Sequence, residues 1–410
     1  MEGWKRTYWA VWTANLITSI GMMSFLPFFP TLLEQQGMTD RDDIALWAGI
    51  LYGAAPLSAA LMSPLWGALG DRYGRRIMVL RSMFAITVFV GAMAFATTVW
   101  QMLVLRILQG VFSGYIAPSM TLVSVAAPHS EQGRVSGSLQ TATAAGSIVG
   151  PMIGAALALV MPLRFAFLGV ALLSLVSAAL VWVWAREDVA HRRRDHGETS
   201  WQETLRGSGR DLADLWRNET LRASLAIVFW IQFAMGTTNP ILDLHVRDLL
   251  ASDDSDHKLA TSFLFSGMAA VNLLAMPVWG KLGDRHGHAS LLVTVALWSG
   301  LALVAQGLAP IFWLLFAARL VFGAVMAGSS PLSFGLAARE ASVDRRGGAF
   351  GVVFGVRTMA IALSAMLGGW LSRFVGIPGL FVVGGIAVVL TAWWMKRVAQ
   401  RRILRNTSGG

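Results

Sequence analysis

Arg106 stands in LVLRILQGVFSG, several residues inside an apolar run, where a full charge on a membrane-spanning helix costs about 2.5–3.5 kcal/mol on insertion scales. A cation placed there needs a partner, and two readings fit it: a structural guanidinium bonded to carbonyl oxygens, or one that tunes the acidity of a nearby carboxylate. Gln109 and Gly110 follow it in the pattern R-x-x-Q-G, and Arg319 and Arg357 are the other cations inside apolar runs. Carboxylates are scarcer. Glu34 closes the first apolar run, as an interfacial surface residue or as a proton carrier, and Asp243 lies near the far end of the seventh. Arg247, four residues after Asp243, argues for a local ion pair there. A cavity lined by Arg106, Arg319 and Arg357 would be positive inside, and would suit anionic, zwitterionic or neutral molecules better than lipophilic cations. The chain has no cysteine and seven scattered histidines, so neither a metal nor another cofactor is expected. No run carries a metalloprotease, serine-hydrolase or paired-aspartate arrangement, and enzymatic catalysis has the least support.

Neutral polar side chains point to the same interior. Asn15 and Thr18, Gln140, Thr141 and Thr143, Gln232 and Asn239, and Asn272 all interrupt apolar runs. Lipid-facing positions rarely tolerate such groups, so with Arg357 they are expected to line a substrate cavity. Gln232 and Asn239 are seven residues apart and share a helix face. Met22, Met23, Phe25, Phe229, Trp230 and Met235 would supply an adaptable apolar wall.

The elements that must hold these groups follow from composition. Of 410 residues, 55% are hydrophobic and 14% charged, more apolar surface than a soluble core can hide, so the bilayer is the expected solvent. Twelve stretches are long enough to span it: 7–33, 45–70, 77–97, 100–126, 136–161, 164–185, 220–245, 260–283, 290–308, 311–337, 348–370 and 376–396. GALGDRYGRR, from Gly67 to Arg76, returns 213 residues later as GKLGDRHGHA, from Gly280 to Ala289. The same ungapped offset pairs Pro27 with Pro240, Pro64 with Pro277, Trp66 with Trp279, Arg106 with Arg319, Gly110 with Gly323 and Pro118 with Pro331. The expected fold is therefore an all-α membrane protein, with twelve transmembrane helices in two pseudo-symmetric six-helix bundles. Their expected limits are 1–185 and 220–410, the second with a cytoplasmic tail, joined by a cytoplasmic linker, 186–219. Parallel repeats of this kind place a site between the halves near the bilayer midplane.

A net charge of +10 invites a nucleic-acid reading, which position excludes. On the side assigned to the cytoplasm lie 25 of the 33 lysines and arginines. That is the positive-inside pattern, and it predicts both termini in the cytoplasm. Arg41, Arg164, Arg247, Lys258 and Arg373 are the outer-loop cations. In the linker, Trp201, Leu205, Leu212, Leu215 and Trp216 recur at near-helical spacing, fitting either an amphipathic helix on the leaflet or a solvated connection.

Three segments carry a resemblance. GALGDRYGRR resembles the signature G-x-L-A-D-R-x-G-R-R of the major facilitator superfamily, departing only at Gly70. The R-x-x-Q-G pattern at Arg106 resembles its proton-coupling motif. AAGSIVGPMIGA, from Ala144 to Ala155, resembles its antiporter motif G-x-x-x-G-P-x-x-G-G, departing at Ala155. The resemblance implies that Gly67, Asp71, Arg72, Gly74, Arg75 and Arg76 form a conformational switch, with Asp71 facing the positive end of the eleventh helix; a positive-inside turn with no switching role is the alternative. Asp284 and Arg285 would be a weaker copy, since His288 and Ala289 replace the paired arginines. It implies proton coupling for Arg106 and Gln109, with Glu34 or Asp243 as the carboxylate, and an antiporter helix built on Gly146, Gly150, Pro151 and Gly154. At the 213 offset the second half has Leu363, Ser364 and Leu367, so a glycine stripe is not expected there. Over its whole length the chain resembles bacterial twelve-helix drug:proton antiporters. That implies a monomer in the lipid bilayer of the bacterial inner membrane, exporting drugs or other small toxic molecules in exchange for protons by alternating access. A proton-coupled transporter of one metabolite, such as a sugar or amino acid, and a non-transporting receptor on the same fold are the open alternatives.

Overall fold

The computed structural model describes residues 3–128, 131–187, 218–250, 256–340 and 346–408. The linker helix expected around Trp201 to Trp216 lies outside the described residues. Ten long helices come first: α1 (Gly3–Gln35), α2 (Arg41–Tyr73), α3 (Arg75–Met93), α4 (Val99–Ala126), α5 (Gln132–Val160), α6 (Arg164–Trp184), α7 (Glu219–Leu250), α8 (Asp256–His286), α9 (His288–Gly307) and α10 (Phe312–Glu340). The run Arg346–Ser408 follows, broken at Gly376, whose φ of 69° no helix allows, into α11 (346–375) and α12 (377–408). Among the described residues eleven helices are long and apolar enough to cross a membrane, and the last, Gly351–Val398, has 48 residues. About 20 residues suffice for one crossing, so that run holds two and the total is twelve. No strand occurs among the described residues, as expected where hydrocarbon forces each segment to satisfy its own backbone.

Local chemistry sets the ends. Thr98 opens α4 with a capping box: its side chain accepts from the Gln101 N–H, and the Gln101 side chain accepts in return from the Thr98 N–H. The Asn218 side chain accepts from the N–H groups of Thr220 and Leu221 and so opens α7. Prolines place the internal breaks. α1 tightens to a 3-10 turn at Leu26–Phe28 and α7 does so at Asn239–Ile241, at the paired Pro27 and Pro240. Each proline lacks the N–H that the helix needs at that point.

The duplication reaches individual contacts. The indole N–H of Trp66 on α2 donates to the Val111 carbonyl on α4 at 2.6 Å. Its mate Trp279 on α8 donates to the Ala324 carbonyl on α10, the mate of Val111, at 2.8 Å. The α2–α3 and α8–α9 turns both rest on a positive φ, 106° at Gly74 and 88° at Gly287, which a side chain would strain.

Packing resolves two compact units. One comprises Met1–Thr39, Ala54–Thr204 and Asp254–Ser266; the other comprises Asp40–Gly53, Leu205–Asp253 and Gly267–Gly410. The division falls inside two helices, between Gly53 and Ala54 on α2 and between Ser266 and Gly267 on α8. One sequence expectation changes here. Lys258, counted above as an outer-loop charge, is buried in the first turn of α8, where its long apolar stem can be covered.

Candidate functional site

The two paired arginines are fully buried, and each lies by the proline break of its unit's first helix. Arg106 donates to the Gln109 side-chain oxygen at 2.6 Å. Its guanidinium lies 5.4 Å from the ring centre of Phe29 and 6.0 Å from that of Phe25, the residues flanking the α1 break, a distance at which ring faces attract a cation. Gln109 in turn donates to the Met22 sulfur at 3.6 Å, closing a link from α4 to α1. Arg319 meets amides instead: it donates to Asn239 Oδ1 at 2.6 Å, on the α7 break, and to Gln306 Oε1 on α9 at 3.3 Å. Phe322, also fully buried, occupies the position that Gln109 holds in the first copy. The two halves therefore solve the same buried-cation problem with different partners.

The carboxylates differ in setting. Asp243 is fully buried, with Arg247 Nη2 4.0 Å from Oδ2. Glu34 is half-buried on the last turn of α1.

The cavity candidates are placed variously. Asn15 is buried and accepts from the Ser119 hydroxyl at 3.1 Å, and Asn272 donates to the Gly323 carbonyl at 3.1 Å, so both tie helices within their units. Asn239 serves Arg319, and the helix stays regular from Gln232 to Asn239, so the two share a face but lie two turns, about 10 Å, apart. Gln232 is fully buried, and neither atom of its carboxamide has a hydrogen-bond partner among the described residues. Burying a polar group unpaired costs about 1–3 kcal/mol. Arg357 donates to the Ser330 hydroxyl at 2.9 Å. Gln140 is exposed on α5.

The glycine–proline stripe of α5 lies flat on α1. A Cβ at Gly146 would stand 2.5 Å from Ser19 Cβ, one at Gly150 would stand 2.6 Å from Met23 Cβ, and one at Gly154 would overlap the Ser24 carbonyl. The Ser19 hydroxyl donates to the Thr143 carbonyl at 2.9 Å, and the Trp12 indole donates to the Ser138 carbonyl at 3.0 Å. Small residues four apart permit this approach. The glycine–proline element is not repeated in the second half, but a stripe of small residues takes its place. Ala360, Ser364 and Gly368 stand four apart on α11, one position beyond the 213 offset. A Cβ at Gly368 would overlap the Thr237 carbonyl on α7, the mate of Ser24. The close crossing is kept in both halves, and what the second lacks is the proline, for which Ala365 stands.

At the α2–α3 turn the side chains of Asp71 and Arg72, and the surroundings of Gly67, lie outside the described residues. Arg76 donates to the Trp182 carbonyl at the end of α6 and lies 5.9 Å from the centre of that ring. The backbone N–H groups of Arg75 and Arg76 both point at Glu187, at 2.8 Å to Oε1 and 3.1 Å to Oε2. In the second turn, Asp284 is exposed, with Arg339 Nη2 at 3.9 Å and His288 Nε2 at 3.7 Å; Arg285 is exposed.

A family model described as Major Facilitator Superfamily matches residues 11–252 and 224–409, nearly the whole chain. The chain belongs to the Major Facilitator Superfamily. It is similar to the multidrug resistance protein MdtG of Proteus mirabilis (strain HI4320), 28% identical over 405 residues covering 98% of each chain. To MdtG of Citrobacter koseri it is 30% identical over 400 residues, 97% of this chain and 96% of that one. Among solved structures, the nucleoside transporter NupG superposes with a TM-score of 0.80 at 13% identity, covering 95% of this chain and 99% of that one. A D-xylose-proton symporter does so with 0.75 at 16%, covering 95% and 96%. At such identities the structures establish the shared superfamily fold.

Within that superfamily fold the sequence reading overlooked four contributors. Glu187 was lost in a charged segment far from the turn it serves. Phe25, expected only as apolar wall, and Phe29 meet edge-on across the α1 break, with ring centres 5.7 Å apart. Arg81, in sequence one of the 25 cations on the side assigned to the cytoplasm, has its guanidinium 3.5 Å from the Trp66 ring centre.

Proposed function

We propose that this chain is a secondary transporter that exports drugs or other small toxic molecules across the bacterial inner membrane in exchange for protons, by alternating access. The observation that carries the reading is the near-full-length likeness to MdtG proteins at 28–30% identity, with relatives named for multidrug resistance. The glycine–proline stripe of α5 seated on α1 supports the antiporter part, because it holds one helix pair in tight register while other contacts change. Arg106 with Gln109 is the coupling cation, and Glu34 and Asp243 are the two candidate proton carriers, Asp243 the fully buried one with Arg247 beside it. Asn15, Gln140, Gln232, Asn239, Asn272 and Arg357 contribute the polar wall, Gln232 foremost, since its carboxamide has both a donor and an acceptor to offer. Gly67, Asp71, Arg72, Gly74, Arg75 and Arg76 form the switch, with Asp284 and Arg285 its second copy. The working limits of the two bundles are 1–185 and 220–410, joined by 186–219, with both termini in the cytoplasm and one chain as the functional unit.

A pump-deficient bacterial host expressing the wild type or Arg106→Ala, challenged with a panel of antibiotics and dyes, tests this. Wild type is expected to raise tolerance to several unrelated compounds and Arg106→Ala to none. Unchanged tolerance with wild type well expressed in the membrane would contradict the reading.

A further inference from the structure

We infer that Glu187 is a positioning residue for the α2–α3 turn, clamping the start of α3 to the end of α6 so that the switch segment moves as one body with α6. The transport consequence rests on the export reading above. Gly74 must adopt a φ of 106° to turn the chain, and a glycine there has no side chain with which to cap the helix it precedes. The first N–H groups of α3 therefore need an acceptor from elsewhere. Glu187 provides it across 112 residues of sequence, one carboxylate oxygen to each of the N–H groups of Arg75 and Arg76. An anion at a helix amino terminus is also favoured by the helix dipole, and bonds to a charged acceptor are the stronger kind.

The neighbouring contacts make this a built joint. Arg186 is held to α1 by a reciprocal pair: its N–H donates to the Thr7 hydroxyl at 3.0 Å, and that hydroxyl donates to its carbonyl at 3.2 Å. The Arg76 guanidinium returns the connection by donating to the Trp182 carbonyl. Three helices thus meet on Trp182, Arg186 and Glu187, directly beside Arg75 and Arg76. The repeat supplies a comparison inside the same molecule. Thr7 has its mate in Thr220, but Glu187 corresponds to Gln400, and Arg75 and Arg76 to His288 and Ala289. At the 213 offset the carboxylate of the first half, where the switch motif is complete, is replaced by an amide.

The test uses the full chain, wild type beside Glu187→Gln, Glu187→Asp and Gln400→Ala. Hydrogen exchange of the peptide spanning residues 74–80 reads the clamp, and export rate per folded molecule in proteoliposomes reads its consequence. Glu187→Gln is expected to speed exchange there by about two- to fivefold, the span of a single helix-dipole interaction. It should also slow export without shifting the half-saturating substrate concentration. Glu187→Asp should recover part of both, and Gln400→Ala should match wild type. Unchanged exchange in Glu187→Gln overturns the inference. So does faster exchange with export at the wild-type rate, which would make Glu187 a cap and nothing more. If Glu187→Gln does not fold, Glu187→Asp, which keeps the charge on a shorter arm, gives the same comparison. A wild type that exports nothing contradicts the export reading instead, and the exchange difference still separates a held turn from a free one.

Discussion

A guanidinium inside a membrane helix keeps its charge only if neighbours replace the water it has lost. The neighbours of Arg106 include the Gln109 amide oxygen and the rings of Phe25 and Phe29, and those of Arg319 include the amide oxygens of Asn239 and Gln306. Gln109→Ala removes a bond to a charged group, worth about 1.5–3 kcal/mol, and Asn239→Ala does the same for Arg319. Both variants should lower the unfolding temperature in detergent, and equal melting of variants and wild type would remove these amides from the arginines' support. Asp243 yields a functional prediction. If it carries the proton, Asp243→Asn should abolish export driven by a proton gradient while leaving substrate counterflow intact. Gradient-driven export surviving that change would move the proton to another group. Sequence alone made Arg106 legible as a costly charge and Gln109 as its companion. It did not reveal Phe25 and Phe29 as ring partners, because aromatic residues in an apolar helix carry no signal of what faces them.

Helix pairs, not single helices, are what the small residues organise. A side chain at Gly154 would overlap the Ser24 carbonyl and one at Gly368 the Thr237 carbonyl, so Gly154→Val and Gly368→Val should each cost about 1–3 kcal/mol through overpacking. Thermal melts should show comparable losses. A loss confined to Gly154→Val would restore the asymmetry that the 213 offset suggests. That offset missed the α11 stripe for a plain reason: one extra residue shifts Ser364 and Gly368 out of ungapped register, while the crossing itself tolerates the shift. Trp66 and Trp279 offer a matched pair. Each gives one hydrogen bond to the paired helix, but Trp66 also lies beneath Arg81. Trp66→Leu should therefore cost more than Trp279→Leu by about 0.5–2 kcal/mol, the worth of a cation–π contact. Chemical denaturation reads that difference, and equal losses would show the Arg81 contact to be energetically silent.

At the level of the molecule, duplication and apolar length carried most of the fold. Twelve crossings, paired proline breaks and paired tryptophan bonds all follow from one copied unit, and the family match covers the same span. The contacts that differ between copies, such as the Glu187 clamp and the partners of Arg319, depend on residues far apart in sequence whose meeting no local pattern announces. Divergence after duplication leaves the first half with the complete GALGDRYGRR turn and the glycine–proline helix, so the proposed coupling and gating are placed there. The most direct test of the whole account is a purified chain in proteoliposomes with an imposed proton gradient, following an accumulated dye or drug together with internal pH. The account predicts gradient-driven substrate movement, and proton movement driven in return by a substrate gradient, both lost in Arg106→Ala that folds normally. Substrate movement that ignores the proton gradient, or none from folded wild type, would contradict it.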